Sequence, residues 1–395
     1  MNEREVVVVG AGLGAVRLAE QLRRHGHRGP ITVVGEEPHR PYDRPPLSKQ
    51  VLRGERDGTE FAGLDGLDVR WLLGTRVVAL DTSSRKIVTD DGRNLGYDVL
   101  VLAPGGRARS LPRLDVGPGV HVLRTIDHAA ALRDCLRRSN RLIVVGAGFI
   151  GCEIAASARQ VGCQVDLIEA QSAPLVRVLG AEAASRVTRL HREQGVRLHL
   201  GATVGKVLHD DRAVSGVQLG DGTTIDGGDI VVGIGIVPDT GWLDGSGVEL
   251  DDGIVCDGIG RTNVPNVFGV GDAARWWHPL AGEHRRVEHW TTTADQAATV
   301  AEAIVGAGSG EVPELAEPPY FWSDQYEVKI QGIGFIGPED HVDTVMVRDR
   351  PVLLYSRDGV LRGVVGFSIP GAVMRTKALV QRRAQVGEAI GMLTA

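Results

Sequence analysis

Two stretches of this chain combine residue types and spacing that can cradle a pyrophosphate. The first is Val6-Val7-Val8-Val9-Gly10-Ala11-Gly12-Leu13-Gly14-Ala15; the second is Leu142-Ile143-Val144-Val145-Gly146-Ala147-Gly148-Phe149-Ile150-Gly151. In the pattern G-x-G-x-x-G/A the first glycine permits a tight turn out of a strand. The second lets backbone approach the phosphates, and the third position must be small so that helix and strand can pack. The phosphates then face N–H groups at a helix start, where the dipole favours negative charge. Gly146, Gly148 and Gly151 fit the pattern fully. Gly10 and Gly12 fit it as well, with Ala15 as the small third residue. One copy alone reads as well as an ordinary glycine turn. Two copies predict two bound nucleotides and a relay of electrons between them.

The flanking elements agree with both copies. After the first turn Val16, Ala19 and Leu22 keep helical spacing, and Gly26 stops the helix. A strand over Ile31-Thr32-Val33-Val34 follows and ends at Gly35-Glu36-Glu37. After the second turn Ile154, Ala155, Ala158 and Val161 keep helical spacing, and Gly162 stops it. The strand Val165-Asp166-Leu167-Ile168 closes on Glu169. An acid at this strand end takes the ribose hydroxyls of an adenine nucleotide. Further on, Val267-Phe268-Gly269-Val270-Gly271-Asp272 reads as a strand leading to a Gly-Asp at a helix start. Asp272 is there either a cap or an acceptor for a sugar alcohol.

The chain has 395 residues, enough for two or three domains, and 53 glycines with few aromatics suit an α/β protein. A formal net charge of −6 argues against a general nucleic-acid binder. The chain enters a core strand within a few residues, which leaves no room for a signal peptide. No apolar run approaches a membrane span, so a cytoplasmic protein is expected. The four cysteines, Cys135, Cys152, Cys163 and Cys256, form neither a dithiol nor a zinc pattern, and no metal is expected. They read as small buried hydrophobes. Residues 306–319 have linker composition. Residues 328–336, 344–347, 352–355 and 360–367 read as strands, and a last helix is expected from about Ala372 through Val386.

Several segments together resemble the FAD-dependent, NAD(P)H-linked ferredoxin reductases of the putidaredoxin reductase and biphenyl dioxygenase reductase type, within the glutathione-reductase-like flavoprotein fold. They are Pro41-Tyr42-Asp43-Arg44-Pro45-Pro46-Leu47-Ser48-Lys49, Leu123-Arg124-Thr125, Val231-Val232-Gly233-Ile234-Gly235-Ile236-Val237-Pro238, Glu288-His289-Trp290 and Phe321-Trp322-Ser323-Asp324-Gln325. Ala103-Pro104-Gly105 departs from the family's Ala-Thr-Gly, and Ala173-Pro174 stands near where the family often has an arginine. The resemblance implies two Rossmann-like domains, for FAD and NADH, plus a C-terminal α+β domain. Their expected bounds are residues 1–112 with 244–315 for FAD, 113–243 for NADH, and 316–395 for the C-terminal interface domain.

The resemblance also implies roles. Gly10, Gly12, Ala15 and Glu36 hold the FAD adenylate half, with Glu37 the less favoured ribose ligand. Arg44, Lys49 and Arg124 line the FAD, Asp272 takes its ribityl chain, and Trp290 meets the flavin pyrimidine edge through its backbone N–H. Gly146, Gly148, Gly151 and Glu169 hold NADH, which Glu169 favours over NADPH because a 2′-phosphate would face an uncompensated carboxylate. Lys49 and Glu153 pair beside the reactive flavin nitrogen, and Trp322 packs near the isoalloxazine where electrons leave. Each residue also has a plainer reading: Arg44 and Lys49 as solvated loop charges, Glu153 as a first-turn helix acid, Trp290 and Trp322 as core aromatics, and His289 as a packed histidine.

The implied activity carries a hydride from NADH to FAD and then single electrons to an iron–sulfur ferredoxin serving a haem monooxygenase or ring-hydroxylating dioxygenase. No cysteine precedes Cys135, which argues against a dithiol beside the flavin. Rubredoxin reductase and a signalling or binding flavoprotein of the apoptosis-inducing type are the alternatives. The basic stretch containing Arg357, Arg362, Arg375, Lys377, Arg382 and Arg383 is either a partner-steering surface or a solvated helix face.

Overall fold

The structure is a computed structural model and describes residues 3–111, 118–210, 213–306 and 312–395. The chain divides into two compact units. One comprises residues 1–43, 60–107 and 237–320; the other comprises 44–59, 108–236 and 321–395. The expected domain boundary at residues 112 and 113 and the middle of the expected linker, 307–311, lie outside the described residues.

The first unit is built on a five-stranded parallel sheet. Its spatial order is Val267–Gly269, Val99–Leu102, Val6–Val9, Ile31–Val34, Arg70–Leu72. Val6, Val7, Val8 and Val9 are all buried. An unbroken apolar run of this kind belongs to a strand covered on both faces, as parallel sheets require. The helices Leu13–Arg24 and Trp290–Val305 pack together. On the first, Ala15, Val16, Leu18, Ala19 and Leu22 are buried. Three segments meet at the carboxyl ends of the strands: the Gly10 turn, the Ala103 turn and the turn after Gly269. Ligands of open α/β sheets bind at that end.

The second unit repeats the plan. Its parallel sheet runs Arg197–Leu200, Gln164–Glu169, Arg141–Val145, Asp229–Val232, Val120–Val122. One face is covered by a three-stranded meander over Val204–Asp210, Ala213–Leu219 and Thr224–Asp226. The other face shares a core with a five-stranded sheet ordered Tyr320–Gln325, Val328–Gly334, Val360–Phe367, Arg350–Arg357, His341–Val347. Tyr355 anchors this junction. It is fully buried and its hydroxyl donates to Leu179 O at 2.6 Å.

Two local expectations fail. No helix follows Asp272. Gly271 turns the chain at φ +81°, and Ala274–His278 is a strand whose Ala274, Trp276 and His278 face inward. The helix starts later, at Trp290. The single C-terminal helix is instead three, Pro370–Arg375, Lys377–Gln381 and Val386–Thr394. The break falls where Arg383 takes φ +54°, Leu361 N donates to Ala384 O at 2.8 Å, and Gln385 bridges to Val360. Tertiary pairing with a strand outcompetes helix continuation at that point.

Candidate functional site

The two fingerprint turns adopt one geometry. A Cβ on Gly10 would lie 2.0 Å from Ala103 O, and one on the equivalent Gly146 would lie 2.5 Å from Gly233 O, so both first positions are closed by backbone. At the third position of the second copy a Cβ on Gly151 would lie 1.9 Å from Gly146 O. A Cβ on Gly12 or Gly148 would meet nothing within 4 Å. Those two residues are the N-caps of Leu13–Arg24 and Phe149–Gln160. Each turn is therefore tight on its protein side and open in front of a helix N-terminus, the shape a pyrophosphate fills. Ala15 is fully buried at the third position of the first copy.

The acids at the strand ends are placed differently. Glu169 reaches back to its own fingerprint: its Oε2 accepts from Ala147 N at 2.6 Å, and its Oε1 from Gln171 N at 2.8 Å. Glu36 is exposed and accepts from Arg107 at 2.8 Å, whereas Glu37 is engaged by the Tyr42 hydroxyl at 2.5 Å. Glu36 is thus the acid that faces outward beyond its strand.

Further along the first unit, Asp272 is half-buried, and its carbonyl accepts from Arg286 at 3.2 Å. The Asp272 charge partly offsets the burial that pushes neighbouring His289 down to about 4. His289 is the N-cap of Trp290–Val305, so Trp290 is the first residue of that helix, where backbone N–H groups point out of the helix end. The Trp290 indole donates to Asp43 at 2.8 Å, and the Arg17 guanidinium lies 5.2 Å from its ring centroid. Trp290 is held on both sides, which fixes the direction of that helix start.

In the second unit Lys49 and Glu153 meet. Lys49 Nζ donates to Glu153 Oε2 at 2.7 Å, and both residues are buried. Solvated loop charge is therefore excluded for Lys49. Glu153 is not a first-turn acid either, for it lies one turn further into Phe149–Gln160. Two devices aim the lysine. The Pro45–Ser48 turn of 3₁₀ helix begins on two prolines, whose fixed φ suits a helix start. Ser157 of the fingerprint helix then donates to Ser48 O at 2.7 Å. Lys49 Nζ also donates to Pro45 O at 3.0 Å. Arg44 donates to Arg124 O, and Arg124 immediately precedes Thr125, which caps Ile126–Arg138 through a reciprocal bond pair with His128.

Two serines that lie within the quoted motifs, but were given no role from the sequence, complete this pair. Ser48 donates to Glu153 Oε2 at 2.5 Å and Ser323 donates to Glu153 Oε1 at 2.7 Å. On Tyr320–Gln325 burial alternates, so Phe321, Ser323 and Gln325 face in while Trp322 and Asp324 stand half-buried on the other face. The sequence, three apolar residues followed by three polar ones, carries no such alternation. Behind the strand, fully buried His191 meets Gln325 and Tyr326; no sequence pattern singled it out.

The cysteines are inert. All four are free and buried, and burial raises every one of their thiols above the ordinary value. Cys135 lies with His121 and Asp229 in a cluster whose donor atoms are within 4.8 Å of one another. His121 already bonds Asp229 at 3.1 Å, and Arg138 adds positive charge beside both Asp229 and Cys135. A satisfied trio next to a guanidinium is a structural contact. In the basic stretch Arg357 is tied to Asp340 at 2.9 Å and Arg382 to Glu388 at 2.5 Å, so part of its charge is neutralised locally.

Two nucleotide-shaped sheets, each with an acid at its strand end, define a dinucleotide-dependent oxidoreductase. Residues 4–297 match the family model described as pyridine nucleotide-disulphide oxidoreductase, and residues 320–392 match that described as reductase C-terminal. The chain belongs to the pyridine nucleotide-disulphide oxidoreductase family. It is 36% identical over 358 residues to the ferredoxin–NAD(+) reductase component of the anthranilate 1,2-dioxygenase system of Burkholderia cepacia, covering 89% of this chain and 86% of the relative. It is 34% identical over 360 residues to putidaredoxin reductase of Pseudomonas putida, covering 88% and 84%. Among solved structures, putidaredoxin reductase in its covalent complex with putidaredoxin superposes with a TM-score of 0.93 at 30% identity, over 99% of each chain. Among the described residues no helix is long and apolar enough to cross a membrane.

Proposed function

We infer that this chain is an NADH-dependent ferredoxin reductase: it holds FAD and NADH, takes a hydride from NADH, and delivers single electrons to a small iron–sulfur ferredoxin. The reading rests above all on two complete fingerprints in a chain with no cysteine before Cys135. FAD, when bound, supplies the conversion from a two-electron donor to a one-electron acceptor. The relatives named for dioxygenase systems and for putidaredoxin support an oxygenase ferredoxin as the partner.

The residue roles follow. Gly10, Gly12 and Ala15 form the FAD pyrophosphate turn, and Glu36 takes the adenosine ribose. Arg44 and Arg124 line the FAD, Asp272 takes its ribityl chain, and the helix start at Trp290 faces the flavin carbonyl edge. Gly146, Gly148 and Gly151 form the NADH turn, and Glu169 takes the NADH ribose. Lys49 and Glu153 serve the hydride step, where a buried ammonium held by a carboxylate fixes positive charge near developing negative charge. Trp322 stands on the exit side for electrons. We assign residues 1–112 and 244–315 to the FAD domain, with 44–59 grouped in the second compact unit, 113–243 to the NADH domain and 316–395 to the interface domain. A cytoplasmic location belongs to this reading, since NADH is its donor, and cell fractionation checks it.

The purified protein should be yellow and should release FAD on denaturation without proteolysis. A colourless protein that takes up no added FAD contradicts the proposal.

A further inference from the structure

We propose that Ser323, Gln325 and His191 form a positioning relay that fixes the orientation of the Glu153 carboxylate and, through it, the Lys49 ammonium. The inference rests on the reading of Lys49 and Glu153 as the groups serving the hydride step.

The direction of each hydrogen bond follows from the chemistry of its neighbours. Gln325 donates from Nε2 to Ser323 Oγ at 3.2 Å, which leaves its Oε1 facing His191 Nε2 at 3.1 Å. An amide oxygen only accepts, so His191 carries its proton on Nε2. Its Nδ1 is then a lone pair facing the Tyr326 hydroxyl at 3.0 Å, and Tyr326 donates. Ser323, accepting from Gln325, donates its own proton to Glu153 Oε1 at 2.7 Å. On the far side Glu153 Oε2 receives Ser48 at 2.5 Å and Lys49 at 2.7 Å. Every donor from Tyr326 onward points towards Glu153.

Such a series polarises itself, each bond strengthening the next, and it ends on an anion where the bond is charge-assisted. Ser323, Gln325 and His191 are fully buried, so water offers no competing partners. Burial also keeps both outer groups neutral, lowering His191 to about 4 and raising Tyr326. The outer end is built at a cost. Tyr326 takes φ +56°, a region that bulky residues rarely enter, and its ring meets His191 edge-on at 5.4 Å between centroids. The Gln325 amide also decides what the chain does: proton passage would require an imidic-acid tautomer, so the relay orients a carboxylate and does not conduct protons.

The test uses the FAD-loaded protein with ¹⁵N-labelled histidine and stopped-flow reduction by NADH. The His191 ring should be the neutral tautomer protonated on Nε2; a proton on Nδ1 overturns the assigned direction. Ser323→Ala should slow the limiting rate of flavin reduction about tenfold and leave the NADH dissociation constant within about twofold. Ser323→Thr, which restores the hydroxyl, should recover most of that loss. Gln325→Met gives a second cut should Ser323→Ala fold poorly, and it should also slow the limiting rate. Lower thermal stability with an unchanged limiting rate in both cuts would make the chain purely structural and overturn the proposal. Glu153→Gln separates the two claims. If Glu153→Gln leaves the limiting rate intact, the hydride-step reading falls; if it slows reduction while both cuts do not, the relay alone falls.

Discussion

Lys49 and Glu153 sit 2.7 Å apart, both buried, and each has further partners. Removing one member of such a pair strands the other charge away from water and costs about 3–5 kcal/mol. Lys49→Met should therefore destabilise the protein by about 3 kcal/mol, and the double variant Lys49→Met, Glu153→Gln should lose clearly less than the sum of the two single changes. A denaturation cycle over the four proteins measures this coupling, and strict additivity would refute it. His191 sets a pH dependence. Its folded value of about 4 lies below the unfolded 6.5, so between those limits the unfolded chain binds the extra proton. Stability is fully present above pH 6.5 and falls as pH drops towards 4, by about 3 kcal/mol from this group. Asp166 adds a loss of the same sign. Burial alone would raise it, but bonds from Arg197, His199 and Arg141 outweigh burial and hold it below the usual range. The melting temperature of His191→Gln should fall less than wild type between pH 7 and 4.5; parallel curves would refute the assignment. At Glu169, replacement by Gln should narrow the preference for NADH over NADPH by about tenfold, because a 2′-phosphate would no longer meet a carboxylate. An unchanged ratio would place selectivity elsewhere.

At the scale of elements, the two glycines of one turn make opposite predictions. Gly12 has φ −101° and open space where a Cβ would point, whereas Gly10 has φ +104° and the Ala103 carbonyl 2.0 Å away. Gly12→Val should fold with stability within about 1 kcal/mol of wild-type apoprotein and yet fail to hold FAD. Gly10→Ala should be destabilised by about 3 kcal/mol or more whatever the cofactor level. Circular dichroism melts beside flavin absorbance distinguish the two, and full FAD occupancy in Gly12→Val would refute the pyrophosphate assignment. Both fingerprint units were legible in the sequence because strand, turn, helix and acid follow one another locally. The helix expected after Asp272 was misread because Gly-Asp followed by two alanines looks helical, while Trp276 needs strand geometry to reach the core. The C-terminal helix was misread because the bridge from Gln385 to Val360 is a contact between residues distant in sequence. Ser323 and Gln325 lay within a motif already noticed, but its three apolar residues followed by three polar ones gave no alternation to sort them from Trp322; the packing of the strand does that. His191 carried no signal, since its partners become neighbours only through folding.

At the scale of the whole molecule, the chain carries one nucleotide sheet in each of its two units, and the second unit also carries the C-terminal sheet. Repetition made the two-nucleotide plan readable from the sequence. The segment 44–59, by contrast, belongs with the second unit although it follows the first fingerprint closely, because Ser48 and Lys49 bond to Glu153 and Ser157. The basic tail is less open to a partner than its sequence suggests, with Arg357 and Arg382 already paired. The central claim is the passage of electrons from NADH through FAD to a one-electron protein acceptor. It is tested most directly by anaerobic stopped-flow mixing of the NADH-reduced protein with a panel of small [2Fe–2S] ferredoxins, followed at flavin and cluster wavelengths. At least one ferredoxin should be reduced at a rate that saturates with its concentration, with two ferredoxins reduced per NADH consumed. Rapid flavin reduction by NADH with no cluster reduction in any member of the panel would contradict the account.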